Sequence, residues 1–474
     1  TPKRRVRRVA TVLARRRVPQ RAVRALRDPA RARSEALGRV QAVLDATVAP
    51  AHASAAQRLD LVERWLLDGA APIALSLVPL LPTAMGSFAL AFRLLGDRAT
   101  TEERDAVRRA LPHNPTTEMD LALWALAVRL RADEECARAL REQPSAQLVA
   151  AYREGALPAV LQEGLADFLH DYGHRGVAEI DMGLQRWADD PAHLLGVLAA
   201  YLKASDAPDA QFRAVAERAE ALVDELAGRR GRLVAPLVRF GLRRGRDLAG
   251  LREAPKASVV ALTARVRSQL LLPAAEELAR AGRLERADDL FFLDLREARE
   301  LAMGGVDLRS LIRERRAGYE AELRRRHVPR LLLSDGTEPV APADGAAVHD
   351  GALRGAPASA GVVTGTARVV RDPANAHLEP GEILVAPSTD PGWTPLFLTA
   401  GGLVMEMGGA MSHGAVVARE YGIPAVVGVP GATERIRTGD VITVDGAAGT
   451  VVIGDGTPVA PADAAWEPPI PGST

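Results

Sequence analysis

One histidine of this sequence lies where a glycine-rich turn meets a helix, in the segment GGLVMEMGGAMSHGAVVAREYGIPAVVG (residues 401–428). Leu403–Met405 predict a strand, and Gly408–Gly409 predict a turn whose backbone can approach a ligand closely. Ser412 occupies the position of a helix N-cap, so His413 falls in the first helical turn. Free N–H groups and the helix dipole favour an anion there. The pattern indicates a nucleophilic imidazole beside groups that cradle its phosphoryl group; a polar surface residue is the alternative.

A second set of charged residues, in LREAPK (residues 251–256), has the chemistry of an anion clamp. Only three of the chain's 61 basic residues are lysines, so a lysine suggests a role that arginine does not fill. Pro255 predicts a helix start, which puts Lys256 where the helix dipole disfavours a positive charge. Arg252 and Lys256 together can neutralise charge on a transferred phosphoryl group. A surface ion pair between Arg252 and Glu253 explains the spacing equally well.

The segment 168–191 concentrates histidines, acids and arginines around a glycine-broken turn. His174, Arg175 and Glu179 are central members of this cluster. Histidines and carboxylates can bind a metal ion, but an arginine cation beside a metal is unfavourable. We therefore favour a buried network of ion pairs and hydrogen bonds over direct catalysis, and predict no metal site.

Length and composition limit the classes of function. A chain of 474 residues predicts two or three domains. A net charge of +1 and an aromatic content of 4% argue against nucleic acid or a membrane surface as partner. The single cysteine, Cys136, excludes an intramolecular disulfide and a cysteine zinc site, and fits a reducing cytoplasm.

The first 333 residues have two parts. Residues 1–33 are rich in arginine and predict an exposed basic helix or linker, with a nucleic-acid arm or a transit peptide as alternatives. Residues 34–333 have helical periodicity. Within them the stretch 70–92 is uncharged and interrupted by prolines, which predicts broken helices that are buried or line an apolar cleft.

The remaining residues change character twice. The Gly-, Ala- and Pro-rich stretch 334–360 predicts a flexible linker. Over residues 361–457 the hydrophobic period drops to two, with short strands between glycine turns, and 458–474 is a proline-rich tail. The predicted fold is multidomain, with a mostly α-helical domain followed by a small α/β domain.

The segment GGAMSHGAVVAREYGIPAVVG resembles the phosphohistidine signature of the swivelling domain in dikinases of the phosphoenolpyruvate-synthase type. TDPGWTPLF (residues 389–397) makes the chain most similar to the rifampicin phosphotransferase family. LPHNPTTEM, GHRGVAEID and LREAPK extend this resemblance through the helical region. It implies that His413 carries the phosphoryl group, and that Arg252, Glu253 and Lys256 lie at the acceptor site of a helical substrate domain.

The resemblance also implies a reaction in two halves. ATP with Mg²⁺ gives one phosphoryl group to water and another to His413, leaving AMP, and the mobile domain then passes the second group to a hydroxyl of an apolar acceptor such as a rifamycin. The sequence contains neither a glycine-rich nucleotide loop nor a convincing magnesium carboxylate pair. We therefore expect an ATP-grasp domain before Thr1 or on a separate polypeptide, and an inactive chain without it.

A second class of function stays open. The chain can be a non-catalytic carrier or binding module of the phosphoenolpyruvate-utilising family, which relays phosphate or sequesters a hydrophobic ligand. The two hypotheses differ in whether His413 is needed for modification of the acceptor.

Overall fold

The computed structural model describes residues 20–203, 208–324, 333–337, 352–373, 376, 378–409 and 412–454. The chain divides into two units. The helical unit comprises residues 1–195 and 209–329, and the C-terminal unit comprises residues 196–208 and 330–474. The predicted tail 458–474 and most of the basic segment 1–33 lie outside the described residues; residues 20–27 of that segment are helical.

The described residues between 20 and 324 form a succession of helices, which confirms the helical prediction. The helices are α1 Pro29–Ala46, α2 Ala55–Leu77, α3 Leu80–Leu95, α4 Thr101–Ala106, α5 Pro115–Arg131, α6 Glu134–Glu142, α7 Ser145–Glu154, α8 Ala159–Tyr172, α9 Ala192–Lys203, α10 Pro208–Gly228, α11 Ala235–Ala249, α12 Ala254–Val266, α13 Leu272–Arg280, α14 Leu295–Met303 and α15 Arg309–Leu323. Short 3₁₀ turns cover Gly250–Glu253 and Ala287–Phe292, and a π-helical turn covers Arg267–Leu271.

The uncharged stretch 70–92 forms the end of α2 and most of α3. Pro72 lies inside α2, and the helices separate at Pro79, which precedes α3. The helical stretch Ala55–Arg98 contains a window with a mean hydropathy of 1.8 that is long enough to cross a membrane, and half of this window is buried inside the protein. Core helices of water-soluble proteins pass the same test, so the stretch is weak support for a membrane span.

Two glycines of α11 let this helix pack closely on α3. A Cβ at Gly241 would lie 2.8 Å from the carbonyl oxygen of Ser87, and one at Gly245 would lie 2.6 Å from the ring of Phe88. Phe88 belongs to a buried cluster shared by α3, α10 and α11. A larger cluster joins α1, α2 and α12–α14.

The C-terminal unit is built on an eight-stranded mixed sheet among the described residues. Its strands are β1 Leu353–Arg354, β2 Ala356–Ser359, β3 Val362–Val369, β4 Ile383–Ala386, β5 Gly402–Met405, β6 Ala425–Val427, β7 Val441–Asp445 and β8 Thr450–Ile453. Their order is β1-β8-β7-β3-β4-β5-β6-β2. Helices α16 Thr394–Phe397, α17 His413–Tyr421 and α18 Ala432–Arg435 complete the unit, so the predicted small α/β domain is confirmed.

The central strands β3, β4, β5 and β6 pair in parallel, and the outer pairings are antiparallel. Strands β4, β5 and β6 are buried throughout, as expected for parallel strands covered on both faces. The linker prediction for 334–360 was wrong at its end. Leu353–Arg354 pair with β8 and Ala356–Ser359 pair with β6, so these residues are sheet edges.

Candidate functional site

His413 is the first residue of α17, which follows the carboxyl end of β5. Gly408 has a φ of 122°, a backbone conformation that residues other than glycine rarely adopt. A Cβ at this position would also lie 2.9 Å from the hydroxyl oxygen of Ser412. The helix ends at Gly422 in the left-handed conformation, and β6 follows. The strand, glycine turn and helix start therefore place the His413 ring as the sequence predicts.

Ser412 precedes the helix with extended backbone angles, but its side chain accepts no capping hydrogen bond. Its hydroxyl donates to the carbonyl oxygen of Gly409 at 2.8 Å, and its amide donates to the same oxygen at 2.8 Å. Ser412 therefore occupies the N-cap position that the sequence predicts, but its side chain makes a different hydrogen bond. The hydroxyl closes the glycine turn, which leaves the amides of the first helical turn without a Ser412 cap.

A threonine that sequence reasoning did not single out contacts the imidazole. The hydroxyl of Thr394 lies 3.0 Å from Nε2 of His413, and Thr394 is fully buried. Thr394 follows strand β4 and His413 follows strand β5, so both residues come from the carboxyl edge of neighbouring parallel strands. Ligand sites of open α/β sheets lie at this edge. The only sequence signal was that Thr394 falls inside the segment TDPGWTPLF.

The hydrogen bond between Thr394 and His413 is compatible with two tautomers of the imidazole, because a hydroxyl can donate or accept a hydrogen bond. If the hydroxyl donates, Nε2 is unprotonated and Nδ1 carries the proton. If it accepts, Nε2 carries the proton and the lone pair is on Nδ1. In both cases the bond fixes the ring, and a phosphoryl group can be attached to Nε2 only after the bond is released.

Gly414 brings the start of α17 against β5. A Cβ at Gly414 would lie 2.6 Å from both the sulfur of Met405 and the hydroxyl oxygen of Thr389. These two atoms are themselves 3.2 Å apart. Because the space is filled, a larger residue next to His413 would displace the helix start that carries the imidazole.

The segment Thr394–Phe397 is held by a residue from much earlier in the chain. The hydroxyl of Tyr201, which is fully buried, donates to the carbonyl oxygen of Pro395 at 2.7 Å. Lys203 forms an ion pair with Glu379 at 2.8 Å. Tyr201 and Lys203 belong to residues 196–208 of the C-terminal unit, although their sequence position lies among the helices.

Arg252, Glu253 and Lys256 lie together in the helical unit, on the 3₁₀ turn Gly250–Glu253 and the first turn of α12. This helix begins at Ala254 with Pro255 in its first turn, as the sequence predicts. Nε of Arg252 donates to Glu253 at 3.1 Å, so the surface ion pair that we weighed against the anion clamp is present. The described residues give Lys256 no ion pair, so its ammonium is available to an anion.

His174, Arg175 and Glu179 form a buried cluster in the helical unit. Arg175 donates to both carboxylate oxygens of Glu179, at 2.6 and 3.2 Å, and their side chains are 3% and 2% exposed. Burial, with the charge of Arg175, lowers the pKa of His174 to about 4. Because an uncharged histidine and an ion pair with satisfied oxygens need no ligand, the cluster has the properties of a structural network.

The described residues contain no group of three or more His, Cys, Asp or Glu side chains placed to hold a metal ion. The side chains of the described residues therefore do not fit a Mg²⁺ site.

Comparison with known families defines the class of each unit. Residues 378–449 match the family described as PEP-utilising enzyme, mobile domain, and this span contains Thr394, Ser412 and His413. Residues 76–253 match the family described as rifampicin phosphotransferase fourth domain, and this span includes Arg252 and Glu253. The chain thus combines a helical domain with the mobile domain of a PEP-utilising enzyme.

Curated relatives agree with these domains. Rifampicin phosphotransferases of Streptomyces sviceus and Bacillus subtilis are 35% and 34% identical over 356 and 357 residues, in each case 74% of this chain and 41% of the relative. The prodigiosin synthesizing transferase PigC of Serratia marcescens is 31% identical over 363 residues, or 74% of this chain and 40% of the relative. The chain therefore spans about two fifths of the length of these relatives. The matched domains and relatives support the rifampicin phosphotransferase family for this chain.

Proposed function

We propose that this chain is the acceptor and carrier portion of a dikinase-type phosphotransferase, in which His413 receives a phosphoryl group and passes it to a hydroxyl of an apolar acceptor. The donor is ATP with Mg²⁺, bound by an ATP-grasp domain in cis or in trans. A rifamycin antibiotic is the first candidate acceptor. We place this reaction in the cytoplasm.

One observation carries this proposal. The His413 imidazole lies at the start of a nine-residue helix, after a turn at Gly408 and Gly409 that only a glycine backbone can adopt at its first position. Backbone amides and the helix dipole stabilise a phosphoryl dianion there. The Thr394 hydroxyl holds the ring by Nε2. This combination supports a phosphohistidine and gives no advantage to an ordinary surface histidine.

Arg252 and Lys256 supply positive charge on the acceptor side, and Glu253 orients Arg252. In phosphoryl transfer such cations neutralise charge on the transferred oxygens, and removal of one stabilising group of this kind typically costs about 10²–10³ in rate. Exposed apolar side chains at the end of α2 and on α3 offer a surface for an apolar acceptor; Val78, Met85 and Leu90 are 47%, 72% and 52% exposed. We assign the acceptor role to the helical unit and the phosphohistidine role to the C-terminal unit, which includes the edge strands at 353–359 and residues 196–208.

Charging of His413 is tested by mixing the chain with an ATP-grasp domain in trans, ATP and Mg²⁺, and by locating phosphate with mass spectrometry. We expect acid-labile phosphate on His413 and none in His413→Ala. The matched control is His52→Ala, because His52 is exposed and is remote from the glycine turn in sequence. Labelling that survives in His413→Ala would contradict the phosphohistidine.

The acceptor is tested separately, with rifampicin added to the charged chain. Phosphorylated rifampicin, formed as phosphate leaves His413, is the expected product. Stable phosphate on His413 with unmodified rifampicin would remove the rifamycin assignment and favour the alternative of a carrier that relays phosphate elsewhere. Because the Serratia marcescens relative is named for prodigiosin synthesis, other apolar acceptors belong in the same assay.

A further inference from the structure

The turn that contains His113 has an unusual backbone. His113 has a φ of 65°, and Ala110 has a φ of 44°. Left-handed conformations are unfavourable for residues with a side chain, and they persist only where the surroundings enforce them. Arg246, which is buried, donates to the carbonyl oxygens of Val107, Arg109 and Ala110 at 2.5, 3.0 and 3.3 Å and so holds the first part of this turn, up to Ala110.

The same turn packs against the segment that carries Arg252 and Glu253. A Cβ at Gly250 would collide with the carbonyl oxygen of Pro112 and would lie 3.2 Å from the amide nitrogen of Asn114. Gly250 begins the 3₁₀ turn that ends at Glu253. His113 lies between Pro112 and Asn114, so its backbone is held next to the 3₁₀ turn that carries Arg252 and Glu253, within one unit.

The His113 imidazole is equipped to receive a proton. Its Nδ1 is 3.6 Å from Glu118, and its side chain is 36% exposed. Burial and the charge of Arg33 lower its pKa, against the opposing charges of Glu118 and Asp247. The ring is therefore neutral at neutral pH, and Glu118 stabilises it once it is protonated. The described residues leave Nε2 without a hydrogen bond.

We propose that His113 is the general base of the acceptor site, which removes the proton of the acceptor hydroxyl during transfer from phosphorylated His413. This inference rests on the proposed function. In this step the acceptor O–H bond breaks and its proton passes to Nε2 of His113. The new O–P bond forms as the P–N bond breaks, and the P–N electron pair returns to the ring nitrogen of His413. With the other ring nitrogen of His413 protonated, the leaving group is a neutral imidazole.

Glu253 is the competing candidate for this base. Its carboxylate is engaged by Arg252 at 3.1 Å, which commits it to an ion pair. His113 has a free nitrogen and a supporting carboxylate. This difference favours His113, and it also defines the variant that distinguishes the two residues.

The test uses variants that keep the backbone of the turn. Asparagine and glycine both tolerate a left-handed φ, so His113→Asn and His113→Gly remove the imidazole with little change in backbone conformation. His413 is first phosphorylated (charged) with phosphoramidate, which donates its phosphoryl group and releases ammonia. Phosphate on the His413 peptide and on rifampicin is then followed by mass spectrometry in a single turnover.

We expect charging of His413 to be unchanged and transfer to rifampicin to fall by about 10²–10⁴-fold, the usual contribution of a general base. The decrease in the parent's rate at low pH, which reports protonation of the base, should disappear in His113→Asn. Added imidazole should restore transfer in His113→Gly, which a purely structural role of His113 would not allow. Glu118→Gln should keep this decrease and move it to lower pH, because the protonated ring loses its carboxylate.

Two results would overturn the assignment of His113 and leave the proposed function standing. One is transfer in His113→Asn within threefold of the parent, with the same pH dependence. The other is loss of that pH dependence in Glu253→Gln and its retention in His113→Asn. If His413 of the parent takes up no phosphate, or the charged parent modifies no acceptor, both the proposed function and this inference fail.

Discussion

Replacing Arg175 by methionine should destabilise the helical unit strongly. The substitution removes a cation whose side chain is 3% exposed and leaves the Glu179 carboxylate, 2% exposed, without its partner. Two hydrogen bonds, at 2.6 and 3.2 Å, are lost together. Breaking a buried ion pair in this way typically costs about 3–5 kcal/mol, which is a large part of a total stability of roughly 5–15 kcal/mol.

The double variant Arg175→Met/Glu179→Leu should recover most of this loss. Replacement of both charges by apolar side chains of similar size removes the need to solvate a lone carboxylate, and such exchanges are often neutral or stabilising by about 1–4 kcal/mol. Glu179→Leu alone should be as harmful as Arg175→Met, because it leaves the guanidinium unpaired. The three variants form a double-mutant cycle.

The measurement is equilibrium urea unfolding followed by far-ultraviolet circular dichroism, which reports the helices. We expect a coupling energy between Arg175 and Glu179 of about 3 kcal/mol or more. If each single variant loses less than about 1 kcal/mol, the value of an ordinary exposed pair, the ion pair is not buried as described. A double variant as unstable as the singles would refute the role of the unpaired charge.

Three further predictions concern single residues. Burial raises the pKa of Cys136 to about 11, so the native chain should resist thiol reagents at pH 8 and react once unfolded in urea. The pKa of His174 lies at about 4 when folded and at about 6.5 when unfolded; the unfolded chain therefore binds the proton first, and roughly 3 kcal/mol of stability should be lost as pH falls from 6.5 to 4. In His174→Gln the free energy of unfolding, measured by urea titration at each pH, should depend less on pH between 6.5 and 4. Gly250→Ala should cost about 1–3 kcal/mol, measured as a lower urea midpoint, because its methyl group would collide with the Pro112 carbonyl.

The strand, turn and helix around His413 are predictable from sequence because their determinants are local. The turn and the helix end depend on the backbone angles of Gly408 and Gly422, and the apolar run before the turn forms strand β5. Thr394 is not predictable in this way, since it meets His413 through the pairing of β4 with β5. The error at residues 353–359 has the same origin, because short edge strands of low β-propensity form only against partners far along the chain.

The acceptor side shows a different limit of sequence reasoning. LREAPK correctly predicts a helix start near Pro255 and also the ion pair of Arg252 with Glu253. The left-handed φ of His113 is not readable from the sequence, because this turn packs against Gly250, which is far along the chain. A positive φ at a histidine is a tertiary effect that no local pattern encodes.

The hydrogen bond from Tyr201 to Pro395 ties together the two separate stretches of sequence that form the C-terminal unit, residues 196–208 and 330–474. A protein fragment expressed from residue 334 onward would carry His413 and the whole sheet, but it would lack Tyr201 and Lys203. The Pro395 carbonyl would then lose its buried donor, one residue after the threonine that holds the imidazole. An autonomous carrier would need a fused copy of residues 196–208, or a polar replacement near Pro395 that supplies the missing hydroxyl.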